Sequence, residues 1–216
     1  MSLRSLVVLL DASGSMYSRR ESTVAAINSL LGPHGMRAKL PAETPLHIYT
    51  FNTCWRRLCP EGTTLGTFEG VRDADYETDG GTALYDVLSD LIEFHTQDAD
   101  PAGGISFVIV SDGKDVNSER ETEESVQRNV EFARAHQHCD FIFVGYGEDA
   151  QQTGTSIGVK PRDMFLTRDC LGAVLTSPDM SQALSQSMSQ EQMPPFRPAP
   201  VGGAGKRAKI DANVAE

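Results

Sequence analysis

Two features of this 216-residue sequence predict an α/β fold built on a largely parallel sheet. Short apolar runs alternate with segments of helical periodicity, the order that successive β-α-β units produce. Two of those runs, Ser5 to Leu10 and Ile105 to Val110, are apolar on both faces, as expected of strands covered on both sides.

The elements follow in order. After the first strand, Val24, Ile27, Leu30 and Leu31 mark one face of a helix over Ser22 to Leu31, with Ser22 as candidate N-cap and Gly32-Pro33 as the stop. Leu46 to Phe51 and Trp55 to Cys59 read as strands joined by a tight Asn52-Thr53 connection, which makes the second antiparallel and places it at the sheet edge. Leu84, Val87, Leu88, Leu91 and Ile92 give a helix from Ala83 to Phe94, ended by Asp100-Pro101 and Gly103-Gly104. Beyond the Ile105 strand come a helix over Glu121 to Ala135 with acids in its first turn, a strand at Phe141 to Val144, and a short helix at Asp149 to Ile157. A strand at Met164 to Leu166 and a helix at Pro178 to Gln190 complete the set. Residues 1–192 form one domain, and residues 193–216, rich in Pro and Gly and without periodicity, read as a disordered basic tail.

Composition bounds the function. With 39% hydrophobic and 23% charged residues the chain is globular and soluble, and its longest apolar run, Leu6 to Leu10, is too short to span a bilayer. The net charge of −11, and −13 without the tail, opposes any broad basic surface for duplex nucleic acid or an anionic membrane. Cationic groups and metal ions suit it better. Four cysteines without a dense pattern, and an N-terminal apolar stretch that runs into Asp11 with no cleavage site, point to a reduced, cytoplasmic protein.

In open α/β sheets a ligand lies beyond the carboxyl ends of the strands, where strand order reverses. Three polar clusters fall at such places: Asp11-Ala12-Ser13-Gly14-Ser15, Ser111-Asp112-Gly113, and Thr78-Asp79-Gly80-Gly81-Thr82 ahead of the Ala83 helix. Two carboxylates, two hydroxyls spaced across one glycine and a third on a Gly-rich loop form an all-oxygen set suited to a hard cation, Mg²⁺ before others. Any one of these residues alone reads equally well as a helix or turn cap; their joint occurrence favours the metal.

Asp11-x-Ser13-x-Ser15, Thr82 within GGTAL and Asp112 within SDG resemble the metal-ion-dependent adhesion site of the von Willebrand factor type A (vWA) family, over about residues 3–190. The resemblance is to intracellular, prokaryotic-like single-domain members with the site intact. It implies a doubly wound, six-stranded sheet of order 3-2-1-4-5-6 with one antiparallel edge strand. It also implies that Ser13, Ser15 and Thr82 ligate Mg²⁺ directly, with Mn²⁺ or Ca²⁺ as substitutes, while Asp11 and Asp112 hold its waters. The open position takes an Asp or Glu from a partner protein, so the family reading is a non-enzymatic interaction module or adaptor. By analogy the assemblies include AAA-type ATPases and stress or conflict systems.

Two alternatives remain: a metal-assisted hydrolase, for which Asp79 and Asp86 are the spare carboxylates, and a degenerate, metal-free scaffold. Other motifs are weaker. Asp75 to Asp86 imitates an EF-hand loop without a preceding helix or a closing Glu. Gly154 to Gly158 matches a nucleophile elbow but follows helix, and no histidine follows it. Gly145 to Ala150, with Asp169 downstream, imitates a dinucleotide fingerprint whose two acids would repel a pyrophosphate. Cys54-x4-Cys59 reads as packing or free thiol, His136 and His138 as favourable charges at a helix end, and Lys206 to Lys209 as a solubilising tail.

Overall fold

A computed structural model describes residues 3–97, 103–147, 149–168 and 170–189. Asp100-Pro101, Glu148, Asp169, Gln190 and the predicted tail lie outside the described residues. The sheet contains β1 (Ser5–Asp11), β2 (Leu46–Phe51), β3 (Trp55–Arg57), β4 (Ile105–Ser111), β5 (Cys139–Tyr146) and β6 (Met164–Thr167). Their order is β3-β2-β1-β4-β5-β6, as expected, with β3 antiparallel to β2 and every other pair parallel.

The period of two along each strand divides the core into two layers. Leu6, Val8 and Leu10 of β1, with Val108 and Val110 of β4, face α1 (Arg20–Leu31), α5 (Leu171–Leu175) and α6 (Pro178–Ser189). Val7 and Leu9, with Phe107 and Ile109, face α2 (Leu84–Gln97), α3 (Glu123–His136) and α4 (Ala150–Ser156). Both faces are therefore sealed, and β1, buried from Leu6 on, and β4, buried throughout, meet at the centre where the winding reverses.

Several local expectations are corrected. Ser22 does not cap α1: the helix begins at Arg20, after a 3-10 turn over Gly14–Arg19, and Ser22 Oγ donates back to the Arg19 carbonyl at 2.8 Å. The cap signal of a Ser before an apolar face was present, but the preceding turn already supplied helical backbone. β3 ends at Arg57, because Cys59 turns inward and its Sγ accepts from the Ile48 amide at 3.2 Å. Helix α3 starts at Glu123, after a capping box in which Thr122 and Ser125 exchange side-chain-to-amide bonds. The five-residue α5 was not foreseen, being too short to show a periodicity.

At the amino ends of the strands Arg4 joins three of them. It donates to Asp140 at 2.8 Å, to Ser106 Oγ at 2.9 Å and to the carbonyls of Ile105 and His138. The rings of His47 on β2 and His95 on α2 sit 4.7 Å apart, with Arg57 beside His47 and Phe94 against His95. Burial, with Arg57 adding to it, holds His47 at about 4; burial, then His47 and Arg57, holds His95 at about 3. Both histidines fold neutral and must be protonated as the chain unfolds in acid, so their linkage removes stability as pH falls. Stability should be full above pH 6.5 and decline through pH 4, by about 2 kcal/mol for the pair at pH 5 after discounting for partial solvent access. Urea denaturation at pH 7 and pH 5 checks this: His47→Phe should shrink the pH 7-to-5 difference, and an unchanged difference would count against it.

Candidate metal centre

The site is assembled where β1 and β4 end side by side. Asp11 closes β1 and is fully buried. Its Oδ1 accepts from the Ser13 amide at 2.8 Å, and its Oδ2 accepts from Ser111 Oγ, the last residue of β4, at 2.5 Å. One carboxylate thus fixes both the first turn of the loop after β1 and the relation of that loop to β4. Tyr76, a buried ring from the loop ahead of α2, donates its hydroxyl to the Asp11 carbonyl.

From this base a chain of oxygens runs to the surface. Ser13 Oγ and Ser15 Oγ lie 3.0 Å apart, and Ser15 Oγ donates to Asp112 Oδ1 at 2.7 Å. The 3-10 turn that starts at Gly14 is what aims both hydroxyls the same way. The other oxygen of Asp112 accepts from Arg19.

The Gly-rich loop is tied to the same point by backbone bonds. Gly14 N–H donates to the Gly80 carbonyl at 2.9 Å, and Asp79 N–H to the Ala12 carbonyl at 2.9 Å. Gly80 has φ +72°, a left-handed conformation that favours glycine, and a Cβ on Gly81 would fall 1.6 Å from Asn117 Oδ1. Both glycines are therefore needed for Thr82 to reach the crevice. The Thr82 amide donates to Asn117 Oδ1 at 3.2 Å, its carbonyl accepts from the amides of Val116 and Asn117, and its Oγ1 would lie 3.9 Å from a Cβ at Gly113.

Of the five predicted site residues, the structure links Asp11, Ser13, Ser15 and Asp112 through hydrogen bonds and sets Thr82 beside the Asp112-Gly113 turn. Among the described residues no cluster of three or more His, Cys, Asp or Glu side chains is placed to hold a metal, so this hydroxyl-rich set is of a different kind. Its chemistry fits Mg²⁺. Ser15 spends its proton on Asp112 and accepts that of Ser13, which leaves one Ser15 lone pair open, and every ligating atom is an oxygen. Burial raises the Asp11 carboxyl above the ordinary range, Ser111 and Ser13 oppose that shift, and the nearby Asp112 charge adds to it. A cation would relieve that repulsion.

Sequence reasoning missed Ser111, Tyr76, Asn117 and Arg19. Ser111 was legible as part of the SDG cluster, and its strand-end position beside Asp11 was the available signal. The other three act across gaps of 35 to 93 residues in sequence, for which spacing carries no sign.

The remaining motifs resolve as structure. Asp86 accepts the amides of Glu119, Arg120 and Glu121 at 2.8 to 3.4 Å and faces Arg120, so it anchors the loop after β4. Burial alone would raise its carboxyl; the amide donations, with Arg120, outweigh that and lower it. Asp75 pairs with Arg72 instead of closing a calcium loop. Ser156 Oγ donates to the Thr153 carbonyl inside α4, away from any histidine partner of a nucleophile. Gly145 and Tyr146 end β5 and Ala150 begins α4, and the four cysteines are free thiols. No helix among the described residues is long and apolar enough to cross a membrane.

This topology, with the oxygen cluster at its switch point, defines a class: the chain has the von Willebrand factor type A fold. Among solved structures it is similar to a von Willebrand factor type A protein from Catenulispora acidiphila, at 18% identity and TM-score 0.58, over 87% of this chain and 43% of that one. It is similar to the vWF domain of the type V pili tip protein Mfa5 from Porphyromonas gingivalis, at 10% identity and TM-score 0.62, over 90% and 99%. The manganese-loaded Plasmodium vivax TRAP protein matches at 15% identity and TM-score 0.58, over 83% and 74%. The chain thus spans less than half the length of the Catenulispora structure. No family model matches the sequence, and no curated protein matches it either.

Asp86→Ala should cost about 2 kcal/mol in chemical denaturation, because three partly buried amides lose one charged acceptor. A loss under about 0.5 kcal/mol would contradict its anchoring role.

Proposed function

We propose that the crevice binds Mg²⁺ through Ser13, Ser15 and Thr82, with Asp11 and Asp112 behind them, and uses it to capture an Asp or Glu side chain of a protein partner. The observation that carries this reading is the unbroken path from Asp11 through Ser13 and Ser15 to Asp112 at the reversal of strand order. It is supported by the manganese named for the TRAP structure and by the pilus-tip role named for Mfa5. Bound there, the cation supplies an electropositive, exchangeable coordination position.

The chain's own part is to keep that position electropositive. Hydroxyls carry no charge, so they hold a cation without neutralising it, and the carboxylates sit one layer back: Asp11 is fully buried and the Asp112 side chain is only 4% exposed. An incoming carboxylate therefore meets net positive charge on a protein whose total charge is −11. A role as adaptor in a larger assembly, with AAA-type ATPases or in stress systems, belongs to this proposal as family analogy. The hydrolase alternative is weakened, since Asp86 is committed to the amides of residues 119–121 and leaves Asp79 as its spare base.

Calorimetric titration with Mg²⁺ tests the reading. Ser15→Ala, at an exposed position, should lower Mg²⁺ affinity tenfold or more with the melting temperature unchanged, and Asp11→Ala should abolish binding. Retention of full affinity in both variants would overturn the site. Pull-down with and without EDTA then asks whether a partner is held through the metal. Turnover of a phosphoester or ester with Mg²⁺, lost on Asp79→Asn, would favour the enzyme.

A further inference from the structure

Arg19 ends the 3-10 turn that carries Ser15, and three groups hold it over the site. One guanidinium nitrogen donates to Asp112 Oδ2 and, at 3.1 Å, to the Ser15 carbonyl. The guanidinium carbon lies 3.9 Å from the centroid of the Tyr146 ring, at the end of β5. A planar, permanently charged group stacked on an aromatic face and paired with a carboxylate is a defined position. The pair is unequal in exposure: the Arg19 side chain is 28% exposed, and the Asp112 carboxylate beneath it 4%.

The two oxygens of Asp112 are thereby divided. Oδ1 accepts from Ser15, which in turn accepts from Ser13 and so keeps one lone pair for a cation; Oδ2 accepts from Arg19. A divalent ion at the Ser13–Ser15 hydroxyls would stand within one carboxylate of a second positive charge. The two cations compete for the same negative group, and each weakens the other's hold on it.

Resting on the Mg²⁺ reading above, we propose that Arg19 is a resident counter-cation of the site, which shares Asp112 with the metal and sets the metal's affinity. It keeps Asp112 oriented and neutralised, and it holds divalent-ion affinity below what the oxygen set alone would give. It also adds a second positive charge facing the partner's carboxylate.

The test is Mg²⁺ titration by calorimetry on the full chain, with Arg19→Gln and Arg19→Lys beside the unaltered protein, and thermal melting in EDTA and in Mg²⁺. Arg19→Gln should bind Mg²⁺ about tenfold tighter, a coupling of ordinary size between neighbouring sites. It should melt lower in EDTA, where Asp112 is left unpaired, and gain more from Mg²⁺ than the unaltered protein does. Arg19→Lys, which keeps the charge, should return the affinity close to the original value. Unchanged or weaker Mg²⁺ binding by Arg19→Gln would overturn the proposal and make Arg19 a scaffold for Asp112. If the unaltered chain binds no Mg²⁺ but Arg19→Gln does, the competition is upheld in its extreme form. If neither binds, the metal reading falls and the proposal with it.

Discussion

The carboxylate of Asp11 is the constraint from which the functional end of the molecule is built. It is buried at the end of a central strand, where an isolated negative charge would be expensive, and so it must be paired by whatever surrounds it. The partners are an amide two residues on and a hydroxyl one hundred residues away, and accepting both fixes the loop after β1 against the end of β4. Had Asp11 been apolar, the two strands would still pair, since their register rests on backbone bonds and on the apolar layers. The loop between Ala12 and Ser15 would lose its reason to turn inward. The fold thus depends on the apolar layers, and the site depends on one charge placed at their edge.

That division explains what could be read from the sequence. The two core layers follow from apolar periodicity, a local property: Val7 and Leu9 face one layer and Leu6, Val8 and Leu10 the other because side chains alternate along a strand, whereas the strand order came only with the family resemblance. Four of the five candidate residues lie at or just beyond the ends of β1 and β4, where a ligand is expected, and Thr82 was picked out by the glycines before it. The exceptions have physical causes. α5, at five residues, is too short for a helical period to repeat, and α1 starts early because the preceding 3-10 turn runs into it. Nothing in the sequence spacing singles out Arg19, and only the folded path of the chain brings it over Asp112 and onto Tyr146.

Asp86 shows the reverse case, in which spacing suggested chemistry and folding assigned it elsewhere. In sequence it stands twelfth from Asp75 and four from Thr82, so it suited both a calcium loop and a hydrolytic base. In the structure it lies in the first turn of α2 and looks across to residues 119–121, whose amides have no strand or helix to satisfy them. A carboxylate is the efficient solution there, since one group accepts several donors where a neutral side chain would accept fewer. Its value to the candidate metal centre is indirect. The loop it holds continues from Asn117, which in turn positions the Thr82 amide.

The acidity of the chain also acquires a structural meaning. Opposite charges are not spread evenly but occur as local pairs: Arg4 with Asp140 at the amino ends of the strands, Arg19 with Asp112 at the carboxyl ends, Arg120 with Asp86 and Asp90 beside the Thr82 loop. For Asp112 and Asp86 a basic residue stands where a carboxylate has been drawn into poorly solvated surroundings, and for Arg4 a carboxylate stands beside a buried guanidinium. At the carboxyl ends this pairing has a further effect. Asp11 and Asp112 raise the negative potential of the crevice, while Arg19 lowers it from the solvent side without touching the serine hydroxyls. On the proposed reading, affinity for a cation and attraction for an anionic partner pull on the same few charges in opposite directions, because every negative group that tightens the first weakens the second. An arginine fixed to the outer oxygen of Asp112 places the site between those demands, and its stacking on Tyr146 keeps it there at little entropic cost.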